Sequence, residues 1–295
     1  MKTPIPTTGP RRPDRLKRVV KEGLRAAILP TSPLRVTPDY LILGAQRSGT
    51  TSLYRYLVQH PAVGPVLLEK GVHFFDVNYE RGFSWYRSHF PSVAYRWWIR
   101  SHHGMDLITG EASPYYLFHP LAPARVTRDL PHVKLIVMLR DPVRRAHSHY
   151  RHEVDRGYEH LPTFEEALDA EPDRLAGETE RILADPGYTS FNHQHYSYIA
   201  RGHYLEQLQA WLERFPRDRM LVIGSEDFFR NPGPVVQRVH AFLGLPRWIS
   251  PAIVKHNAGR YPPIQEATRR RLVEHFEEPS RRLSRFLDVD FGWEG

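Results

Sequence analysis

Along this chain, short apolar runs alternate with stretches in which apolar residues recur every three or four positions. Tyr40-Leu41-Ile42-Leu43 is one such run and ends at Gly44; residues 134–139 form another, and residues 107–111 and 220–223 are shorter ones. Continuous apolar runs of this length predict strands buried on both faces. Helical spacing follows them. Leu53, Tyr54 and Leu57 share a face before His60-Pro61, and a short helix over 81–90 would carry Phe83, Trp85, Tyr86 and Phe90 as its aromatic side. Further helices are predicted over 120–130, over 143–155 with Pro142 near the first turn, and over 195–215, 234–243 and 264–287. Residues 66–75 read as strand or loop, 157–194 as a polar loop with short helices and a candidate lid, and 248–263 as irregular. Alternating strands and helices predict an α/β fold, a mainly parallel sheet covered on both faces, with ligands beyond the carboxyl ends of the strands.

Before the first strand the pattern changes. Residues 1–13 are rich in proline and threonine and read as disordered. A basic helix over 14–29 would set Leu16, Val19, Val20, Leu24 and Ile28 on one side, suited to packing on the body or to peripheral contact with a membrane. Pro30, Pro33 and Pro38 delay regular structure, so the division expected is a basic extension over 1–38 and one domain over 39–295.

Composition narrows the partners. The 295 residues carry a net charge of +8, which favours polyanions such as nucleotides and acidic glycans. No cysteine is present, so there is neither a disulfide framework nor a thiolate metal site, which fits a reducing, cytoplasmic setting. No apolar run approaches the length of a membrane span.

The candidate chemistry begins at Gly44-Ala45-Gln46-Arg47-Ser48-Gly49-Thr50-Thr51. A strand, a loop bounded by glycines and a helix start make an anion site, because backbone N–H groups and the helix dipole point at one concavity. The spacing G-x-x-x-x-G is that of a nucleotide phosphate loop, but Thr50 stands where a kinase has lysine, and the basic residue, Arg47, lies inside the loop. A glycine turn with no ligand is the plainer alternative. The second anchor is Arg140 at the end of the run 134–139, followed eight residues later by Ser148. A planar guanidinium suits a phosphate, whereas the plainer alternative pairs Arg140 with Asp141 or Glu153. Seventeen histidines include His147, His149, His152, His193 and His195; without an H-E-x-x-H pattern they read as exposed polar faces. Tyr95, Trp97 and Trp98, beside Arg96 and Arg100, read as packing aromatics more readily than as a sugar platform.

The run from Leu43 to Thr51 resembles the 5′-phosphosulfate loop of sulfotransferases that use 3′-phosphoadenosine-5′-phosphosulfate (PAPS), above all the heparan-sulfate-type branch and its bacterial relatives. The resemblance extends from about Tyr40 to the C-terminus. It implies a P-loop-like, three-layer α/β/α fold and PAPS as donor, with 3′-phosphoadenosine-5′-phosphate (PAP) as product and no metal. It assigns Gln46, Arg47, Ser48, Gly49, Thr50 and Thr51 to the 5′-phosphosulfate and Arg140 with Ser148 to the 3′-phosphate. Gly259, Arg260 and Tyr261 fall where a loop closes over the cofactor. Glu69-Lys70-Gly71-Val72-His73-Phe74-Phe75-Asp76 resembles the family's K-E-x-H-F-F segment, with Gly71 in place of the glutamate that is the usual base. His73 then becomes the candidate base, with Glu69 or Glu111 as alternatives, and Lys70 stands near the transferred sulfuryl. Residues 110–116 resemble the E-K-T/S-P-x-Y segment, with Ala112 replacing its lysine. Arg47 replaces the loop lysine that assists the leaving phosphate. The catalytic candidates are therefore Arg47, Lys70, His73 and Glu111. The expected acceptor is a carbohydrate or small metabolite, not nucleic acid. The rival readings are a P-loop kinase on a small hydroxylated substrate and a non-catalytic basic protein that binds glycans or nucleic acid.

Overall fold

A computed structural model describes residues 23–249 and 263–293. Five strands, β1 (Tyr40–Gly44), β2 (Val63–Gly64), β3 (Ile108–Ala112), β4 (Lys134–Leu139) and β5 (Met220–Gly224), form one sheet in the order β2-β3-β1-β4-β5. Every pairing is parallel: Leu41 lies opposite Glu111 and Leu135, and Leu135–Leu139 run in register with Met220–Gly224. Side chains alternate across a strand, and here both sides are buried. Leu41, Leu43, Leu135, Val137 and Leu139 enter one core with Tyr86, Phe90, Tyr204, Trp211 and Leu283. Tyr40, Ile42, Ile136 and Met138 enter the other with Leu53, Leu57, Val235 and Val239. The result is three layers, with a smaller cluster around Val143, Tyr150, Phe164, Tyr198 and Phe276.

The helices are α1 (Thr50–Leu57), α2 (Phe83–Arg87), α3 (Val93–His103), α4 (Ala122–Asp129), α5 (Pro142–Asp155), α6 (Phe164–Leu175), α7 (Glu178–Ala184), α8 (Phe191–His195), α9 (Tyr204–Leu212), α10 (Ser225–Arg230), α11 (Pro232–Leu243) and α12 (Glu266–Leu287). Residues 23–28 are also helical; residues 1–22, which hold most of the expected N-terminal helix, lie outside the described residues. Among the described residues no helix is long and apolar enough to cross a membrane.

Several expectations change. Residues 66–75 carry no strand, because the edge ladder ends at Gly64. The stretch 157–194, read as a loop with short helices, holds α6, α7 and the start of α8; α6 runs to twelve residues and is opened by a capping box between Thr163 and Glu166, a T-x-x-E signal present in the sequence. The helix expected over 195–215 starts only at Tyr204. Ahead of it the carbonyls of His193 and Gln194 accept from the Arg201 guanidinium, which leaves them unavailable to a helix ladder. α3 and α10 had no counterpart in the pattern. The aromatics of α3 are not packing residues: Tyr95, Trp97 and Trp98 are exposed.

Candidate active site

Three neighbouring strands, β3, β1 and β4, deliver the site from their carboxyl ends. The chain steps from one side of β1 to the other between β3 and β4, the switch point at which open parallel sheets bind ligands. From β1 the backbone enters the glycine loop, where Ala45 N–H donates to Met138 O of β4 at 2.7 Å. Gly49 caps α1 in the left-handed region at φ +92°, where a Cβ would also meet the Phe229 ring at 2.9 Å. Arg47 shares the positive sign, at φ +71°. Ser48 N–H turns back to Ala45 O, and the N–H groups of Gly49, Thr50 and Thr51 are among those of this stretch that find no backbone carbonyl among the described residues. Ser48 Oγ is fully buried and has no hydrogen-bond partner among the described residues. A buried orphan hydroxyl under a helix N-terminus fits an oxyanion such as a phosphate.

Arg140 leaves the end of β4 and donates from Nη1 to Arg47 O at 3.0 Å, with Phe229 beneath its guanidinium at 5.7 Å. Arg47 Nε donates to Ser148 Oγ at 3.1 Å. The loop, Arg140 and Ser148 are thus one constellation. Burial pulls the pKa of Arg140 below its usual value. Asp141, the acid that a metal–nucleotide site would need here, caps α5 instead, accepting from Val143 and Arg144 N–H.

The His73 segment is tied to the end of β3 through its backbone. Val72 N–H donates to Glu111 at 2.7 Å, His73 N–H to Ser113 Oγ at 2.9 Å and Phe74 N–H to Tyr116 OH at 2.7 Å, while Arg125 donates to Phe75 O and Asp76 O. These bonds hold His73 at φ +52°, in the left-handed region that few residues other than glycine adopt. Its Nδ1 lies 2.7 Å from Asp76 Oδ2. Because a carboxylate only accepts, Nδ1 carries the proton and neutral His73 presents a lone pair at Nε2. Burial disfavours the charged imidazole, but Asp76, with help from Glu111, outweighs it and raises the pKa.

Glu111 is fully buried and accepts from Val72 N–H, Ser113 Oγ, Tyr86 OH and Tyr116 OH, while burial lifts its pKa in spite of these donors. Glu69 faces Arg25 at 3.5 Å. Lys70 O accepts from Ala112 N–H at 2.9 Å, but its ammonium has no hydrogen-bond or ion-pair partner among the described residues; burial and the neighbouring Arg55 lower its pKa against the pull of Glu111. At Gly71 a Cβ would stand 2.7 Å from Ala112 O, so the backbone itself closes the place where the resembled segment has glutamate. Gly71→Glu is therefore expected to lower the melting temperature and to restore no activity. A Gly71→Glu protein as stable as the parent, or faster, would show that the loop yields there.

Asp76 was not singled out in the sequence, although its i+3 spacing from His73 was a signal. The buried network under the loop carried none. Gln46 Nε2 donates to Glu153 at 3.3 Å and its Oε1 accepts from Arg201; Glu153 also meets His195 Nδ1 at 2.9 Å and His149 at 3.5 Å. His149, His193 and His195 are buried, contrary to the expectation of exposed faces. Burial pushes His149 down to about 3, and the two imidazoles hold the Glu153 carboxyl well below its usual range against the effect of burial. Among the described residues no three of these groups converge as metal ligands. Gly259, Arg260 and Tyr261 lie outside the described residues.

Comparison with known proteins adds identity to geometry. The sulfotransferase domain model matches residues 37–258. The chain is 32% identical over 282 residues to heparan sulfate glucosamine 3-O-sulfotransferase 3A1 of Homo sapiens, covering 88% of this chain and 63% of that protein. It is 25% identical over 346 residues to membrane-associated sulfotransferase kil1 of Dictyostelium discoideum, covering 95% of this chain and 72% of that protein. The chain therefore spans about two thirds of the length of such curated relatives. Among solved structures, a sulfotransferase from Alicyclobacillus acidocaldarius superposes with a TM-score of 0.64 at 30% identity, over 86% of this chain and 97% of that one.

Proposed function

Because this chain belongs to the sulfotransferase domain family, we propose that it moves a sulfuryl group from PAPS to a hydroxyl or amine of a carbohydrate or small metabolite. The observation that carries this reading is the junction of the glycine loop with Arg140 and Ser148 around the unpartnered Ser48 hydroxyl. PAPS, when bound, supplies the sulfuryl group and leaves as PAP. Arg140 and Ser148 would hold the 3′-phosphate. Arg47, the N–H groups of Gly49, Thr50 and Thr51, and the two threonine hydroxyls would hold the 5′ end and stabilise charge there. Gln46, clamped between Arg201 and Glu153, keeps the loop in place. His73 Nε2 takes the proton of the acceptor, and Asp76 balances the charge that results. Glu111, with four donors on its two oxygens, positions the His73 segment and takes no proton in this scheme. Lys70, whose ammonium has no partner among the described residues, would be available to the transferred group. The name of the human relative supports a carbohydrate acceptor.

Calorimetry with PAP, 5′-AMP and ATP tests the donor. PAP is expected to bind without Mg²⁺, and 5′-AMP about 10–150-fold more weakly, since a lost charged contact costs about 1.5–3 kcal/mol. Arg140→Ala should erase that preference. Equal affinity for PAP and 5′-AMP, or ATP binding that needs Mg²⁺, would overturn the assignment in favour of a kinase.

A further inference from the structure

Helix α3 carries its aromatic side chains outward. Ile99 is its one buried residue, whereas Trp97 is 66% exposed, Val93 52%, Trp98 43% and Tyr95 42%. Val93 and Trp97, four residues apart, share a face. Tyr95, Trp98 and His102 form a second row of stacked rings, with centroids 6.1 and 4.9 Å apart. The antiparallel bridge between Arg35 and Ser92 brings Leu34, 68% exposed, beside the first turn of the helix. The helix is nevertheless well anchored. Ser92 caps it by accepting from Tyr95 N–H, Gly104 closes it in the left-handed region, and Arg96 binds Asp39 and Leu107 O. A fixed ridge of leucine, valine, tyrosine and two tryptophans in water is unlike the scattered apolar residues of an ordinary surface.

Charge selects what covers it. Residues 1–25, which precede Leu34 in the sequence, hold eight lysines and arginines against two acids. Arg100, His102 and His103 stand on the last turns of α3, with Arg100 3.5 Å from the exposed Asp106. Tryptophan and tyrosine rings flanked by basic side chains favour the boundary between lipid headgroups and acyl chains. Stable attachment there takes two signals, an apolar one and a polybasic one, and both occur here.

We propose that this chain docks reversibly on the surface of an anionic lipid bilayer through the ridge formed by Leu34, Val93, Trp97 and Trp98, reinforced by its basic N-terminal segment. Arg96 bonds to Asp39, the residue before β1, so the ridge lies toward the amino ends of the strands. The glycine loop and His73 lie beyond the carboxyl ends, so docking leaves the site open to an acceptor in solution. This inference does not rest on the reaction proposed above.

The test is co-sedimentation of the full chain with vesicles of phosphatidylcholine alone and of phosphatidylcholine mixed with phosphatidylserine. Binding is expected to the mixed vesicles, weakening as salt rises, with a blue shift of tryptophan emission. The double substitution Trp97→Ser, Trp98→Ser should weaken it about tenfold or more. Lys17→Glu with Arg18→Glu should remove the preference for phosphatidylserine. A far-ultraviolet circular dichroism spectrum and melting temperature unchanged in both variants serve as the check that they fold. Failure of the parent chain to bind the mixed vesicles, or unaltered binding by the tryptophan variant, would overturn the proposal. So would a concentration-dependent dimer that the tryptophan substitutions dissociate, which would make the ridge a contact between copies of the chain.

Discussion

Replacing His73 with alanine is expected to lower kcat about 10²–10⁴-fold while leaving PAP affinity unchanged, the signature of a lost general base. The pH dependence follows from the local charges. Only the neutral imidazole accepts a proton, and Asp76 raises the pKa of His73, so kcat should rise with pH through a midpoint above that of a free imidazole. Asp76→Asn removes the raising charge and should move the midpoint down. It should also lower kcat, because Nδ1 loses the acceptor that fixes the proton on that side of the ring. A pH–rate profile of the parent, His73→Ala and Asp76→Asn on an active acceptor decides the matter. An unchanged profile in His73→Ala would remove His73 from the chemistry. A collapse in Glu111→Gln, with PAP binding and stability intact, would then shift attention to the buried carboxylate.

Arg47→Ala is expected to cost about 10²–10³ in kcat, the usual loss when one donor that stabilises developing charge is removed. The structure adds a second effect. Arg47 Nε is bonded to Ser148 Oγ, so the same substitution should also weaken PAP binding, although the backbone carbonyl that accepts from Arg140 is kept. Arg47→Lys separates the two roles. Lysine keeps the charge but cannot reproduce the guanidinium fork, so turnover should recover more fully than affinity. Single-turnover kinetics alongside calorimetry on both variants gives the split. Full activity in Arg47→Ala would place this side chain outside the reaction.

The loop from Gly44 to Thr51, the strand that ends at Arg140 and the helix that carries Ser148 were all legible in the chain, because each is a continuous segment whose geometry is set by neighbours along the backbone. The pairing of β4 with β1, with its register shift between Ile42 and Gly44, came only with the tertiary structure, because apolar runs buried on both faces suit more than one register. The His73 segment was legible as a motif but not as a machine. Its conformation depends on Glu111, Ser113 and Tyr116, some forty residues away. The exclusion of a side chain at Gly71 depends on a carbonyl of Ala112, which ends β3 and lies some forty residues along the chain. Composition could not tell which histidines are buried. Glu153 draws His149 and His195 inward because a carboxylate out of water needs partners, and Arg201 joins them through Gln46 for the same reason. The outward tryptophans of α3 are the converse. Hydrophobicity alone predicts burial, and only the packing of Ile99 and Arg96 against the body determines which side of that helix is left facing water.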